Sequence, residues 1–536
     1  MLNIVLLAIN AKYVHSSLSV WVIAEGICFY SKYLHNINVV ESTINQKITE
    51  AVDSVAEYTP DIIGISSYIW NAGMMPELLE LLRKRMPGVM IVLGGPEASN
   101  NTDYWLSGGA DHVLRGEGEY VFPKFLDEYI SKNSDRKPDN PDYIADYGLK
   151  CNVLNPYTEE YFKSLNTKLA YIETSRGCPF QCAFCLSAGA GVRFFPLDTV
   201  KDQIELLSQS NTKTIKFVDR TFNCNFERAC DIFDFVINLD TACTFHFEVA
   251  GDLFDDRMLS ILKEAPPGRI QFEIGLQSFF EPALHAVSRK SDINKAEKNI
   301  SALLKMQNIH IHIDLIAGLP YETLDDFMTG FDRAYGLGAH HLQLGFLKLL
   351  HGSVLRNKAK DFGIQFSSQP PYEFISSSWL SADDVRILKH TENALQHTYN
   401  KNRFLSALQY VLTATGLRPF SLMYSLGLSI PNHGTQLEDY AVLIYEFLLS
   451  LPGVEKHALQ DYMTYDWLTM VKGKNAPSFM KNNDPRRNLL FESAEKILGR
   501  KPKREEYTIL NSGSGIFVES TERNPVTGLY RVYICE

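Results

Sequence analysis

The amino-acid sequence has no apolar run long enough to span a membrane and no excess of positive charge, and both absences narrow its function. Met1 to Ile9 is apolar but has no basic flank and no cleavage site, so neither export nor anchoring is expected, and a cytoplasmic protein without a membrane partner is read. Lysine and arginine number 52 against 63 aspartates and glutamates, a formal net charge of −11. A surface that tracks nucleic-acid phosphates would be basic, so nucleic acid is not an expected partner and a small or neutral substrate fits better. Cysteine is scarce: there are nine in 536 residues, an odd number with three inside one short run. That excludes a disulfide framework and points to a reducing compartment. Internal repeats and low-complexity segments are also missing. The remainder is ordinary for a globular protein, 45% hydrophobic and 21% charged, and too long for one core.

Apolar runs at Ile4 to Ile9, Val39 to Glu41, Ile62 to Ser66, Val89 to Gly94 and His112 to Arg115 alternate with helical stretches such as Leu18 to Tyr33 and Pro76 to Arg85. This order predicts a parallel sheet with right-handed crossovers, whose ligand would sit outside the carboxyl ends of the strands. Ser131 to Lys150 is polar and poorly periodic, and reads as a linker with a domain boundary near Asn133.

Six more strands follow, at Leu169 to Ser175, Thr214 to Val218, Thr244 to Ala250, Arg269 to Leu276, Ile309 to Leu315 and His341 to Leu347. Several of them alternate. Phe245, Phe247 and Val249 interleave with His246 and Glu248; Phe272 and Ile274 with Gln271, Glu273 and Gln277; Ile309, Ile311 and Ile313 with His310, His312 and Asp314. Residues two apart share a face, so the apolar set must face helices and the polar set a lumen that holds something polar. From about Pro370 the patterns are helical, including Asp383 to His397, Leu437 to Ser450 and Asp461 to Val471, before a closing pair of strands at Gly515 to Glu519 and Tyr530 to Cys535.

Cys178, Cys182 and Cys185 lie directly after the first of the six strands, spaced Cys-x-x-x-Cys-x-x-Cys. Three soft ligands suit an iron-sulfur cluster better than zinc, which takes four ligands in a structural site and finds no second cysteine pair here. One iron is then left open for a substrate or cosubstrate. This run resembles the cluster loop of the radical S-adenosylmethionine (SAM) enzymes, in which a four-iron four-sulfur cluster chelates SAM and cleaves it to a 5'-deoxyadenosyl radical. The resemblance covers roughly Leu169 to Ser353 and implies further roles. Phe184 stands where the family sets an aromatic residue against adenine. Asp219-Arg-Thr-Phe-Asn223 occupies the place of a Gly-Gly-Glu run that holds the methionine amino group, with Asp219 and Thr221 as the substitutes. Glu248 and Glu273, with Gln277 behind them, are the expected contacts to the ribose hydroxyls or the methionyl ammonium. Gly318, in Ala317-Gly-Leu-Pro320, would let backbone approach adenine.

The first domain is similar to the cobalamin-binding domains that precede the barrel in one large radical SAM class. The resemblance rests on Gly64-Ile-Ser-Ser-Tyr-Ile-Trp70, Leu93-Gly-Gly-Pro-Glu-Ala-Ser99 and Arg115-Gly-Glu-Gly-Glu119. It implies cofactor contacts from Asn10, His15, Ser66, Ser67, Tyr68, Trp70, Gly94, Gly95, Glu97, Gly116, Glu117 and Glu119. The Asp-x-His-x-x-Gly run that supplies an axial histidine in many cobalamin proteins is missing, and Asn10-Ala-Lys-Tyr-Val-His15 stands in its place. A base-off cobalamin without a protein nitrogen below cobalt is therefore expected, with Tyr68 or Trp70 near the lower face. Methylthiotransferases of similar layout carry three more cysteines in the first domain, where this chain has only Cys28. Cys224, Cys230 and Cys243 read as buried apolar residues.

These readings predict an α/β protein with a Rossmann-like cobalamin-binding domain at 1–133, a linker at 134–165, a partial (β/α)6 radical SAM barrel at 166–365 and a mostly helical substrate-recognition domain at 366–536 that closes the barrel mouth. The implied activity is methyl transfer to an unactivated carbon of a small-molecule or peptide substrate, with a flavodoxin or similar electron donor. Two rivals stand beside it: a cobalamin-dependent radical SAM rearrangement or cyclisation without methyl transfer, and a cobalamin or redox sensor.

Overall fold

Strand β1 (Asn3–Asn10) is apolar without alternation because both of its faces are covered. Val5, Leu7 and Ile9 enter one hydrophobic core, whereas Ile4, Leu6 and Ala8 enter another. It lies between β2 (Asn36–Thr43) and β3 (Ile62–Ser66) in a five-stranded parallel sheet completed by β4 (Met90–Gly94) and β5 (His112–Val113), ordered β2-β1-β3-β4-β5. The order reverses between β1 and β3, so the loops after those two strands border the crevice where such sheets bind ligands. Helix Leu18–Tyr30 crosses helix Gly118–Ser131 at Gly26, where an added Cβ would come within 2.4 Å of the Glu119 carbonyl oxygen. That close crossing seats the loop bearing Glu117 and Glu119.

The computed structural model describes residues 1–131, 154–431, 435–472, 476–482 and 484–535. The expected boundary near Asn133 lies outside them, as does most of the expected linker. The part of that linker within them corrects the expectation: Glu159–Leu165 is a helix, capped by the Thr158 side chain on the Tyr161 N–H, with Tyr161 and Leu165 buried one turn apart. No helix among the described residues is long and apolar enough to cross a membrane.

The chain divides into two compact units, and the division does not follow the expected domains. The first unit holds Met1–Val249, His285–Lys290 and Phe346–Ile375. Beside the five-stranded sheet it carries β6 (Ala170–Ile172), a two-stranded antiparallel hairpin of β7 (Ser175–Cys178) and β8 (Gly191–Phe194), then β9 (Thr214–Phe217) and β10 (Thr244–Val249). Strands β6, β9 and β10 are parallel with β9 in the middle. On β10 Phe245, Phe247 and Val249 are buried while His246 and Glu248 stay partly accessible, so the expected alternation holds. Phe217, Phe222, Phe233 and Phe247 form the aromatic core beneath, with Phe217 and Phe247 stacked at 4.2 Å.

The second unit holds Ala250–Leu284, Ser291–Gly345 and Ser376–Glu536. Strands β11 (Ile270–Gln277) and β12 (Ile309–Ala317) pair in parallel, Gln271 beside His310, Glu273 beside His312 and Gly275 beside Asp314. Their apolar residues are fully covered and the polar ones only partly, strand by strand. Strand β13 (His341–Phe346) follows. The expected helices are present as Ala382–His397, Leu437–Leu449 and Lys456–Met470, the first started by a Ser381–Asp384 capping box. The closing strands are Gly515–Arg523 and Tyr530–Cys535, joined by a third, Tyr507–Ile509, too short to be read from alternation.

The hairpin turn of the tail packs where β11 and β12 begin. Pro525 sits where a Cβ on Gly268 would be, and the Val526 carbonyl accepts from Nδ1 of His310 at 2.8 Å. This is the amino end of β11 and β12, opposite the end that carries Gln277 and Gly318.

Candidate functional site

The segment leading to the cysteines is fixed by one carboxylate. Asp219, 1% exposed, accepts hydrogen bonds from the Thr174 N–H at 3.0 Å, the Thr174 hydroxyl at 2.8 Å and the Ser175 hydroxyl. Burial pushes its pKa up and these donors pull it back. Both oxygens are engaged, so Asp219 acts as a buried strut and does not stand open to a methionine amino group. Gly177 has φ +99° and could carry no side chain, since a Cβ would fall 1.9 Å from the Gly191 carbonyl oxygen across the hairpin.

Each of the three thiols has a polar neighbour. Thr221 Oγ1 lies 3.6 Å from Cys178 Sγ, Arg289 Nη1 3.7 Å from Cys182 Sγ, and the Ser187 N–H 3.4 Å from Cys185 Sγ. The Cys185 N–H to Cys182 carbonyl bond makes the tight turn between the last two cysteines, and Phe184, half-buried, sits inside it. The loop is tied down on both sides through Ala183, whose N–H donates to Val287 and whose carbonyl accepts from Leu355. Soft ligands that receive hydrogen bonds from a guanidinium and an amide suit an anionic cluster. Cys224 is held as a thiol: burial, then Cys178 and Asp219 nearby, push its pKa up to about 11. Arg289 was not evident in the sequence, because a lone arginine after a short helix carries no periodic signal.

The first-domain loops divide into a cradle and a set of struts. In the cradle, Gly95 has φ +93° and a Cβ there would fall 2.6 Å from the Ser67 carbonyl oxygen; Gly116 has φ +106°. Ser67 is fully buried, yet among the described residues its hydroxyl has no hydrogen-bond partner. Gly94 and Ser66 border it, paired in register. Tyr68 and Trp70 stack at 4.3 Å with their planes 7° apart, and Trp70, 43% exposed, anchors its indole N–H on the Ile9 carbonyl at 3.0 Å. A glycine-lined backbone, an orphaned hydroxyl and a flat aromatic face fit a large planar cofactor with amide side chains.

The struts are the polar residues expected to contact that cofactor and found engaged elsewhere. Asn10 donates to the His15 carbonyl and to Glu41. His15 turns its Nδ1 onto the Tyr171 hydroxyl of β6, and burial, then Lys12 and Lys216, lower its pKa. Glu97 accepts from the Tyr372 hydroxyl at 2.6 Å. Glu117 binds Arg176 and Arg193, at 3.0 and 2.7 Å, and Glu119 binds Arg176 at 2.7 Å. Glu173 completes the cage around Arg176; burial alone would lower the guanidinium's pKa, but the three carboxylates hold it well above its ordinary value. The three glutamates share one physical reason: a carboxylate at the edge of one sheet finds a permanent cation or hydroxyl on the next segment before it finds a ligand.

On the polar face of β10, Glu248 is 3.6 Å from Lys216 Nζ of β9, so the charge expected to balance a SAM ammonium already has a cation. Lys216 obeys the same alternation, one residue before the buried Phe217, and that parity could have found it. Glu273 lies mid-strand, four residues before the end of β11, grouped with His312 and Asp314. Gln277 is at the carboxyl end itself, in left-handed backbone at φ +70°, and its Oε1 is buried without a hydrogen-bond partner among the described residues. Gly318 directly follows β12, with φ +99°. Behind them Glu322 contacts the Ser278 hydroxyl, and burial raises its pKa to about 8. Burial likewise lowers His340 and His341 to about 4.

Three family models match the chain in order: the B12 binding domain at residues 4–126, the Radical SAM superfamily at 172–334, and a protein of unknown function, DUF4080, at 360–511. A curated relative, the cobalamin-dependent radical SAM methyltransferase TokK of Streptomyces tokunonensis, is 24% identical over 59% of this chain and 51% of its own length. The chain spans about half the length of the curated relatives it matches first, 51% and 47%. Among solved structures, the radical SAM methyltransferase TsrM from Kitasatospora setae, with cobalamin and a 4Fe-4S cluster bound, matches at TM-score 0.54 and 16% identity over 69% of this chain and 78% of that one. The cobalamin-dependent SAM radical enzyme OxsB, with aqua-cobalamin bound, matches at 0.57 and 13% identity over 87% and 79%. These structures share the fold.

Proposed function

We propose that this chain, which carries a B12 binding domain ahead of a radical SAM domain, is a cobalamin-dependent radical SAM methyltransferase acting on an unactivated carbon of a small molecule or peptide. One observation carries the reading: Glu117 and Glu119, on a loop of the first sheet, hold Arg176 and Arg193 of the hairpin that ends at Cys178, at 2.7 to 3.0 Å. Ion pairs thus lock the candidate cobalamin loop to the candidate cluster loop inside one compact unit.

Cys178, Cys182 and Cys185 would hold the cluster, and Ser67, Gly94, Gly95, Gly116 and the Tyr68–Trp70 stack the cobalamin. When bound, these groups supply a one-electron reductant for SAM and a carrier for the methyl group. The protein's own work is positional. Asp219 sets the approach to the cysteines, Arg289 donates to the Cys182 sulfur, and Gly95 and Gly116 keep side chains out of the cradle. A base-off cobalamin belongs to the same proposal, since the Asp-x-His-x-x-Gly run is missing from the first loop. Gln277 and Gly318 are the better candidates for SAM contact, since both stand at strand ends in left-handed backbone and Gln277 carries an unpaired acceptor. A cytoplasmic setting and a flavodoxin-like electron donor belong to the same proposal.

The test is purification without oxygen followed by iron, sulfide and cobalt analysis and mass spectrometry of SAM products. One cluster, one base-off cobalamin and release of both 5'-deoxyadenosine and S-adenosylhomocysteine are expected. Loss of cobalamin on His15→Ala, or SAM left intact under strong reductant, overturns the reading.

A further inference from the structure

On the polar face of β11 and β12, three residues that sequence separates by up to 41 positions present ligand atoms at single-ion distance. One nitrogen or oxygen each of Glu273, His312 and Asp314 lies within 4.8 Å of the others. The parallel register causes this: Glu273 and His312 are direct neighbours on adjacent strands, and Asp314 is the next residue up the same face. All three are partly buried, with His312 and Asp314 side chains 17% and 15% exposed.

The local chemistry is unbalanced. Nε2 of His312 stands 3.0 Å from Oδ1 of Asp314, yet the two make no hydrogen bond, and among the described residues neither atom has another hydrogen-bond partner. An imidazole nitrogen and a carboxylate oxygen turned toward each other without a hydrogen bond are an arrangement that a cation bound by both would relieve. The His312 ring is held in place by edge-on contact with His341 at 4.1 Å, while His310, one position lower on the face, is committed to the Val526 carbonyl. The group is therefore a preformed set of one imidazole and two carboxylates on rigid strands, with the tail turn packed at the amino end.

We propose that Glu273, His312 and Asp314 bind one divalent transition-metal ion of the zinc class. Mixed imidazole and carboxylate donors suit such ions, and three protein ligands leave a coordination position for an outside oxygen. Asp314 lies three residues, about 10 Å at strand rise, below the carboxyl end of β12, so the ion would anchor a carboxylate or phosphate group of a substrate entering from that end. The metal site does not depend on the methyltransferase reading; only the substrate-anchoring role rests on it.

Zinc itself is the probe. The anaerobically reconstituted chain, whose cluster occupies Cys178, Cys182 and Cys185, is stripped with a chelator that spares the cluster, then titrated with zinc by calorimetry and with cobalt(II) by visible absorption. One equivalent of zinc and cobalt bands of a nitrogen–oxygen site are expected. His312→Gln and Asp314→Asn should weaken zinc by more than the tenfold to hundredfold typical of losing an outer-shell partner, with iron content unchanged. If either variant fails to fold, the cobalt spectrum of the parent still decides. No saturable zinc binding, sulfur-type cobalt bands, or binding unchanged in both folded variants overturns the proposal. A chain that binds zinc here but never cleaves SAM would retain the site and discard the methyltransferase reading.

Discussion

The β9–β10 wall and the β11–β12 wall obey one rule of alternation and end with different chemistry. On the first, Lys216 brings a permanent cation to Glu248 at 3.6 Å. On the second, the neighbour of Glu273 in register is His312, an imidazole, with Asp314 above it. The difference teaches that a period of two identifies the polar face of a strand but not how its charges are balanced. A carboxylate paired with a lysine is structural; an imidazole and carboxylates grouped at single-ion distance invite a ligand.

The comparison would break most severely at the cysteines that precede the first wall. Cys178→Ala, Cys182→Ala or Cys185→Ala should each abolish the cluster, read as loss of its iron and charge-transfer absorption, whereas Lys216→Met and His312→Gln should leave iron content unchanged. Next in size is the apolar side of both walls. Phe247 and Phe272 are fully buried, so Phe247→Ala and Phe272→Ala should each cost about 3 to 5 kcal/mol in chemical denaturation, equally on the two walls.

Proton linkage sharpens the contrast. His341 has its folded pKa lowered to about 4 by burial and by His312 and His310 beside it. Stability from this group is present above the unfolded value of about 6.5 and is lost as pH falls toward 4, by up to about 3 kcal/mol. Glu322 runs the other way: its folded pKa, raised to about 8 by burial, means that stability falls as pH climbs from about 4.5 to 8. His341→Phe should flatten the acid limb and Glu322→Gln the neutral limb in denaturation series across pH. The smallest effect is expected for the ion pair itself, where a double-mutant cycle of Lys216→Met and Glu248→Gln should give a coupling of about 1 kcal/mol.

Much of this molecule was legible in the sequence for identifiable reasons. Continuous apolar runs such as Ile4 to Ile9 mark strands covered on both faces, alternation through Phe245 to Glu248 fixed which side of β10 is polar, and Ser381 and Asp384 mark a helix start. The spacing of three cysteines marked the candidate cluster loop. What sequence could not show were the partners across distance. Glu97, Glu117 and Glu119 read as cofactor contacts because they follow glycines at strand ends, but Tyr372, Arg176 and Arg193 reach them first. Asp219 read as an open contact because local order cannot reveal that Thr174 and Ser175, 45 and 44 positions earlier, fold back onto it. The hairpin Ser175–Cys178 with Gly191–Phe194 was missed because its strands are short and follow the cluster loop's own turn chemistry.

The central claim is that both cofactor loops serve one methyl transfer. It is tested most directly by supplying the reconstituted protein, under strong reductant, with SAM bearing a trideuterated methyl group and a desalted cell extract as the substrate source. The account predicts an extract component that gains the labelled methyl group in step with 5'-deoxyadenosine release, and neither event with Cys182→Ala. Release of 5'-deoxyadenosine while the label stays in SAM products and never enters an extract component would contradict it.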